Sequence, residues 1–105
     1  MKVAITSTGN SLDSKLDQRF GRCAYFVIYD TETKATEYFP NPNKDAPDGA
    51  GPASVQFIAS RKVSKVVSGD FGIKVKPLLE NLQIQMITLK NQEKTIGEII
   101  EMLNH

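Results

Sequence analysis

Apolar and polar positions along the chain change period several times, and each change marks an element. Residues 2–6, Lys-Val-Ala-Ile-Thr, form a short apolar run closed by the turn cluster Ser7-Thr8-Gly9-Asn10. That pattern predicts a buried strand. Residues 24–30 are dominated by aromatic and β-branched side chains and predict a second strand. Thr31-Glu-Thr-Lys34 separates it from residues 35–39, so the two runs read as an antiparallel hairpin. Pro40 then ends the second strand at a sheet edge, because proline cannot donate to a ladder.

Residues 41–51 hold two Pro, two Gly, two Asn and two Asp. A loop this long in a small chain is a candidate binding loop. From Pro52 the period turns helical, with Pro52 in the first turn and Val55, Ile58, Ala59 and Lys62 along one face. Val63–Ser68 reads as a strand and Gly69-Asp70-Phe71-Gly72 as a tight connection. Val75, Leu78, Leu79 and Leu82 mark a second amphipathic helix, with Pro77 near its start. Residues 84–89 predict another strand. Thr95-Ile-Gly-Glu98 matches a capping box ahead of the stripe Ile96, Ile99, Ile100 and Leu103. Strands alternating with helices predict a sheet with parallel pairs covered on both faces, a three-layer α/β/α sandwich of the α/β class.

Composition narrows the function classes. A length of 105 residues suits one domain, 1–105. One cysteine, Cys23, excludes an internal disulfide, and Cys23 with His105 cannot supply the four ligands of a structural zinc site. The longest apolar run is Cys23 to Tyr29, seven residues, against about 20 for a membrane span. Val3-Ala-Ile5 is far short of a secretory signal core. The expectation is a cytoplasmic protein that neither enters membranes nor, at a net charge of +1, coats nucleic acid. Charge is uneven, however. Between Arg61 and Lys76 there are five basic residues and one acid, a local +4. That stretch reads either as an anion-attracting field or as an ordinary solvated face.

Three segments carry candidate chemistry. In Asp17-Gln-Arg19-Phe20-Gly21-Arg22-Cys23, Arg19 and Arg22 can hold an anion through forked hydrogen bonds, and Gly21 lets backbone approach a ligand. Cys23 reads either as a soft-metal ligand favoured by its arginine neighbour or as a small buried hydrophobe. Gly49-Ala-Gly51-Pro52 leads into a helix, where exposed amides suit an anion, or it simply permits a turn. Ser68-Gly69-Asp70-Phe71-Gly72 follows a strand at the end where parallel sheets gather ligands, although Gly69 and Gly72 lack the full spacing of a nucleotide loop. Catalytic templates fit poorly. A Cys–His pair would have to bring His105 to Cys23, and a two-metal nuclease needs clustered carboxylates that residues 2–6 lack.

Taken together, these segments resemble the dinitrogenase iron–molybdenum cofactor family, the NifX-type accessory domains. The likeness rests on the opening Met-Lys-Val-Ala-Ile, on Leu16-Asp17-Gln-Arg-Phe-Gly-Arg22, on Tyr25-Phe-Val-Ile-Tyr-Asp-Thr-Glu-Thr33, on Asn41-Pro-Asn43 and on Gly49-Ala-Gly-Pro52. The resemblance implies a ribonuclease H-like fold with a mixed five-stranded sheet. It also implies binding or carriage of an iron–sulfur or iron–molybdenum type cluster during cofactor assembly, without catalysis. Arg19 stands where the family often has His, and Asp70 follows Gly69 where paired glycines are usual.

The leading expectation is therefore a non-catalytic cluster-binding or carrier domain whose candidate residues are Arg19, Phe20, Gly21, Arg22, Cys23, Gly49, Gly51, Gly69 and Gly72. Metallocluster assembly proteins are its expected partners, and the chain is a monomer or weak homodimer. The alternative is a regulatory or interaction module that binds a small anion or a protein without metal. A hydrolase acting through Asp70 ranks last.

Overall fold

A computed structural model describes residues 1–104. The elements run β1 (Lys2–Ser7), β2 (Tyr25–Asp30), β3 (Thr36–Pro40), α1 (Ala50–Ala59), β4 (Val63–Ser68), α2 (Lys76–Asn81), β5 (Gln85–Thr88) and α3 (Ile96–Leu103). His105 lies outside the described residues, and with it the considered pairing of Cys23 and His105.

The strands form one mixed five-stranded sheet in the order β3-β2-β1-β4-β5. β2 runs antiparallel to both of its neighbours, as the predicted hairpin requires, while β1–β4 and β4–β5 are parallel. Period-two alternation divides the strand side chains between two faces. Ala4, Phe26, Ile28 and Val66 point to one face and pack with Val55 and Ile58 of α1 and Leu79 of α2. Val3, Ile5, Val27, Tyr29 and Val67 point to the other and pack with Ile96, Ile99 and Ile100 of α3. The sheet is thus covered on both faces.

Local chemistry explains most boundaries. α3 begins at a complete capping box: the Glu98 amide donates to the Thr95 hydroxyl, and the Thr95 amide donates to the Glu98 carboxylate. Three positions depart from the sequence pattern. α1 starts at Ala50, two residues before Pro52, because first-turn positions need no amide partner and tolerate Gly51 and Pro52 alike. Lys62, expected on the buried face of α1, lies beyond the helix end at φ 60° and is exposed. Leu82, expected on the apolar stripe of α2, is 47% exposed, since α2 ends at Asn81 and Gln83 turns the chain away at φ 59°.

Candidate functional site

Residues 15–23 cross the carboxyl ends of β1 and β4, the place where open sheets collect ligands. The backbone of Asp17 fastens this crossing. Its amide donates to the Thr6 carbonyl at 3.0 Å, and its carbonyl accepts from the Thr6 hydroxyl at 2.8 Å and from the Gly69 amide at 3.3 Å. Gly69 is needed there for closeness, because a β-carbon would sit 2.6 Å from the Gln18 α-carbon.

The Asp17 carboxylate is nearly buried and accepts from the Arg19 amide at 3.0 Å and from Arg19 Nε at 3.4 Å. This holds the base of the arginine while its side chain remains largely exposed. Phe20 then turns inward, edge-on to Phe26 and tilted against Phe71, with ring centroids 5.6 and 5.8 Å away. That contact ties the crossing to the turn after β4.

Gly21 lies against the start of α1. Its carbonyl accepts from Asn41 Nδ2 at 3.0 Å and from the Ser54 hydroxyl at 3.1 Å. Asn41 Nδ2 also donates to the Cys23 carbonyl at 3.0 Å, and Asn41 Oδ1 accepts from the Asn43 amide at 2.9 Å. One buried asparagine therefore clamps the first part of the 41–51 loop to residues 21–23. Arg22 holds the next part, donating from Nη1 to the carbonyls of Lys44 at 3.2 Å and Ala46 at 2.8 Å.

The helix α1 carries no side-chain cap and no acid in its first turn, and Gly49 precedes it at φ 70°. The first helical hydrogen bond runs from the Ala53 amide to the Gly49 carbonyl, so the amides of Ala50 and Gly51 have no protein acceptor among the described residues. Ala50 and Gly51 line a cleft of about 430 Å³. One wall is Gln18, Arg19, Phe20, Gly21 and Arg22. A second is Gly49, Ala50, Gly51 and Pro52. The third is Asp70, Phe71, Gly72, Lys74 and Val75. Three cationic side chains thus stand against one carboxylate. The Asp70 carboxylate is partly engaged, accepting from the Phe71 amide at 2.9 Å. Gln18 Nε2, a buried donor, has no partner among the described residues.

Of the residues singled out from sequence, Arg19, Phe20, Gly21, Arg22, Gly49, Gly51 and Gly72 come together around this cleft. Gly69 and Cys23 do not line it. Cys23, the candidate metal ligand, is fully buried in the core between sheet and α1, the placement that its alternative reading as a small buried hydrophobe describes. Burial, reinforced by the charge of Asp17, pushes its thiol up to about 12. The protonated form is therefore held near neutral pH, and no low-pKa sulfur faces the cleft. Among the described residues no group of three His, Cys, Asp or Glu side chains could hold a metal ion.

Sequence reasoning missed Gln18, Ser54 and the positioning role of Asn41. Only Asn41 left a signal, in Asn41-Pro-Asn43, a spacing that suits an asparagine turn. Gln18 and Ser54 matter because segments distant in sequence meet there.

A family model described as dinitrogenase iron–molybdenum cofactor matches residues 1–105. No curated protein matches the chain by sequence. Among solved structures, the apo form of the orange protein from Desulfovibrio gigas is similar with a TM-score of 0.89 at 29% identity, over 97% of this chain and 85% of that one. A Thermotoga protein provisionally described as NifB has a TM-score of 0.82 at 32% identity, over 97% of this chain and 85% of its own. A Methanocaldococcus jannaschii protein provisionally described as a dinitrogenase shares the fold at a TM-score of 0.61 and 21% identity, over 96% of this chain and 88% of its own.

Proposed function

The chain belongs to the dinitrogenase iron–molybdenum cofactor family, and we propose that it is a non-catalytic accessory domain that binds an anionic iron–sulfur or molybdenum-containing cluster and carries it during metallocofactor assembly. The observation that carries this reading is the cleft at the uncapped start of α1, lined by Ala50 and Gly51 together with Arg19 and Lys74. A helix N-terminus and cationic side chains favour an anion, and a cleft of about 430 Å³ suits a compact one.

The donor set also defines how such cargo is held. With Cys23 in the core, the cleft offers amides, guanidinium groups and an ammonium group rather than metal ligands. These groups address the sulfide or oxo atoms of a cluster, not its metal ions. Gln18, whose buried Nε2 has no partner among the described residues, belongs to the same wall. Hydrogen bonds without direct ligation leave the cargo free to depart, as carriage requires. Asp17 and Asp70, the carboxylates nearest the cleft, are engaged by Arg19 and by the Phe71 amide, which supports a binding role over a hydrolytic one.

The order β3-β2-β1-β4-β5 with only β2 reversed supports a ribonuclease H-like reading of the sheet. The same proposal makes the protein cytoplasmic, a monomer or weak homodimer, and a partner of metallocluster assembly proteins. No helix among the described residues is long and apolar enough to cross a membrane.

Elemental analysis after anaerobic reconstitution with iron and sulfide, or with molybdate, tests the proposal. Wild-type protein retains metal, Cys23→Ala retains as much, and Arg19→Ala binds about tenfold more weakly, the loss expected for one charge-assisted hydrogen bond. Wild type that retains no metal overturns the reading. A melting temperature raised by inorganic phosphate but not by metals would instead identify a small-anion module.

A further inference from the structure

We propose that Arg22 couples the filling of the cleft to the order of the surface strap formed by residues 44–48, so that a loaded domain differs from an empty one on its outside. This rests on the cleft being an anion site and specifies how that site is read by a partner.

The 41–51 loop is held at two places of unequal character. Asn41 is buried and its amide group makes two bonds to the 21–23 backbone, so residues 41–43 are fixed whatever the cleft contains. Beyond them, Lys44 and Ala46 bond back only within the loop, to the carbonyls of Asn41 and Asn43 at 3.4 and 3.2 Å. Among the described residues, the hydrogen bonds that reach 44–48 from elsewhere are both from Arg22 Nη1. The strap thus hangs on one guanidinium group.

Arg22 is also one of the residues that line the cleft. A guanidinium carries five donors, and Nη1 uses two of them on the strap carbonyls. Nε and Nη2 remain as a fork matched to an oxyanion or sulfide edge. An anion taken by this fork needs no strap bond to break. It fixes the plane of the guanidinium and removes its rotational freedom, so the two Nη1 bonds to the strap lose less entropy in forming. By reciprocity, a partner that binds the ordered strap tightens the hold on the anion, and one that pulls the strap away loosens it. Lysine at this position would keep the charge but not the two-sided fork.

Hydrogen exchange of the peptide spanning 44–48, with and without molybdate at concentrations that saturate by equilibrium dialysis, decides the matter. In wild type, molybdate slows strap exchange at least fivefold while the amides of Asn41 and Asn43 keep their rates. In Arg22→Lys the strap exchanges faster than wild type without molybdate and gains no protection from it. If Arg22→Lys fails to bind molybdate, its faster exchange in the empty state and the wild-type response carry the conclusion. Molybdate bound by wild type with strap exchange unchanged or accelerated overturns the coupling and leaves the anion cleft standing. An Arg22→Lys strap as protected as wild type in the empty state overturns it too. Absence of molybdate binding by wild type removes both readings together.

Discussion

Gly21 lies with its α-carbon so close to the backbone of Gly51 that a β-carbon on it would stand 2.8 Å from the Gly51 nitrogen and 2.9 Å from its α-carbon. This approach brings the Arg19–Arg22 wall to the start of α1 and so makes the cleft. Gly21→Ala must push backbone from backbone, with no flexible side chain to yield. A loss of about 1–3 kcal/mol follows, lowering the melting temperature by roughly 5 °C or more. Gly49→Ala is the contrasting case: a β-carbon there meets nothing within 4 Å, but φ is +70°. Its cost is conformational alone, about 1–2 kcal/mol. Thermal unfolding of both variants, with anion binding measured beside it, checks the distinction. Weakened binding should accompany Gly21→Ala even below the melting transition.

Asn41→Ala leaves the carbonyls of Gly21 and Cys23 without the amide that serves them both at 3.0 Å. Asn41 is 7% exposed, so water replaces it poorly. The expected destabilisation is about 1–3 kcal/mol, since the Cys23 carbonyl loses this partner while the Gly21 carbonyl keeps the Ser54 hydroxyl. Denaturant unfolding measures it, and Asn41→Asp should not rescue, because a carboxylate presents two acceptors to two acceptors.

Much of this architecture can be read in the sequence. Val3 and Ile5 against Ala4, or Phe26 and Ile28 against Val27 and Tyr29, announce a sheet buried on both faces. Thr95 and Glu98 mark the start of α3 through a contact three residues apart. These signals are local, and local chemistry decides them. The cleft is only half legible. Phe20-Gly21-Arg22 and Gly49-Ala50-Gly51 stand out because glycine beside arginine or proline is distinctive. Gln18 and Ser54 stay hidden, because their roles arise where residues 15–23, the start of α1 and the turn after β4 meet. Cys23 shows the same limit from the other side. Its neighbour Arg22 suggests an exposed, activated thiol, but the strand it precedes carries it into the core.

Three residues sit in the left-handed region without being glycine: Lys34 at φ 65° in the turn between β2 and β3, and two that follow helices. Lys62 has φ 60° and Gln83 has φ 59°, and both are exposed at the ends of helices. Lys62→Gly and Gln83→Gly each relieve a steric cost that exceeds the added freedom of the unfolded glycine. Each variant should gain about 0.5–1 kcal/mol, read as a higher denaturation midpoint with an unchanged slope.

The capping box of α3 gives a signed pH dependence. The Glu98 carboxyl is held below its ordinary value of 4.5, chiefly by the Thr95 amide and then by the Thr95 hydroxyl. A carboxyl depressed on folding stabilises above its unfolded pKa and loses that contribution as pH falls through the folded one. Wild type should therefore lose stability relative to Glu98→Gln as pH drops from 6 to below about 4. Glutamine keeps the box without titrating. Thr95→Ala should cost about 1 kcal/mol at pH 7 by removing the cap. Parallel pH series of thermal melts check both, and a constant difference between wild type and Glu98→Gln would remove Glu98 titration as the cause.

Cys23 allows the sharpest separation between a core thiol and a cluster ligand. With its thiol pushed up to about 12 and its side chain fully buried, the native protein offers alkylating reagents almost no thiolate and no path to it. Modification by iodoacetamide at pH 7.5 should be at least a hundredfold slower in the native state than in denaturant, and adding molybdate should leave the native rate unchanged. The sign of the linkage supplies a second reading. Because the folded pKa lies above the ordinary 9.0, the unfolded thiol ionises first as pH rises, so stability falls between about pH 9 and 12. Cys23→Ala removes that alkaline loss while adding a small cavity cost at every pH. If native Cys23 instead reacts rapidly near neutral pH and molybdate protects it, the sulfur faces the cleft in solution, and direct metal ligation returns as the way the cargo is held.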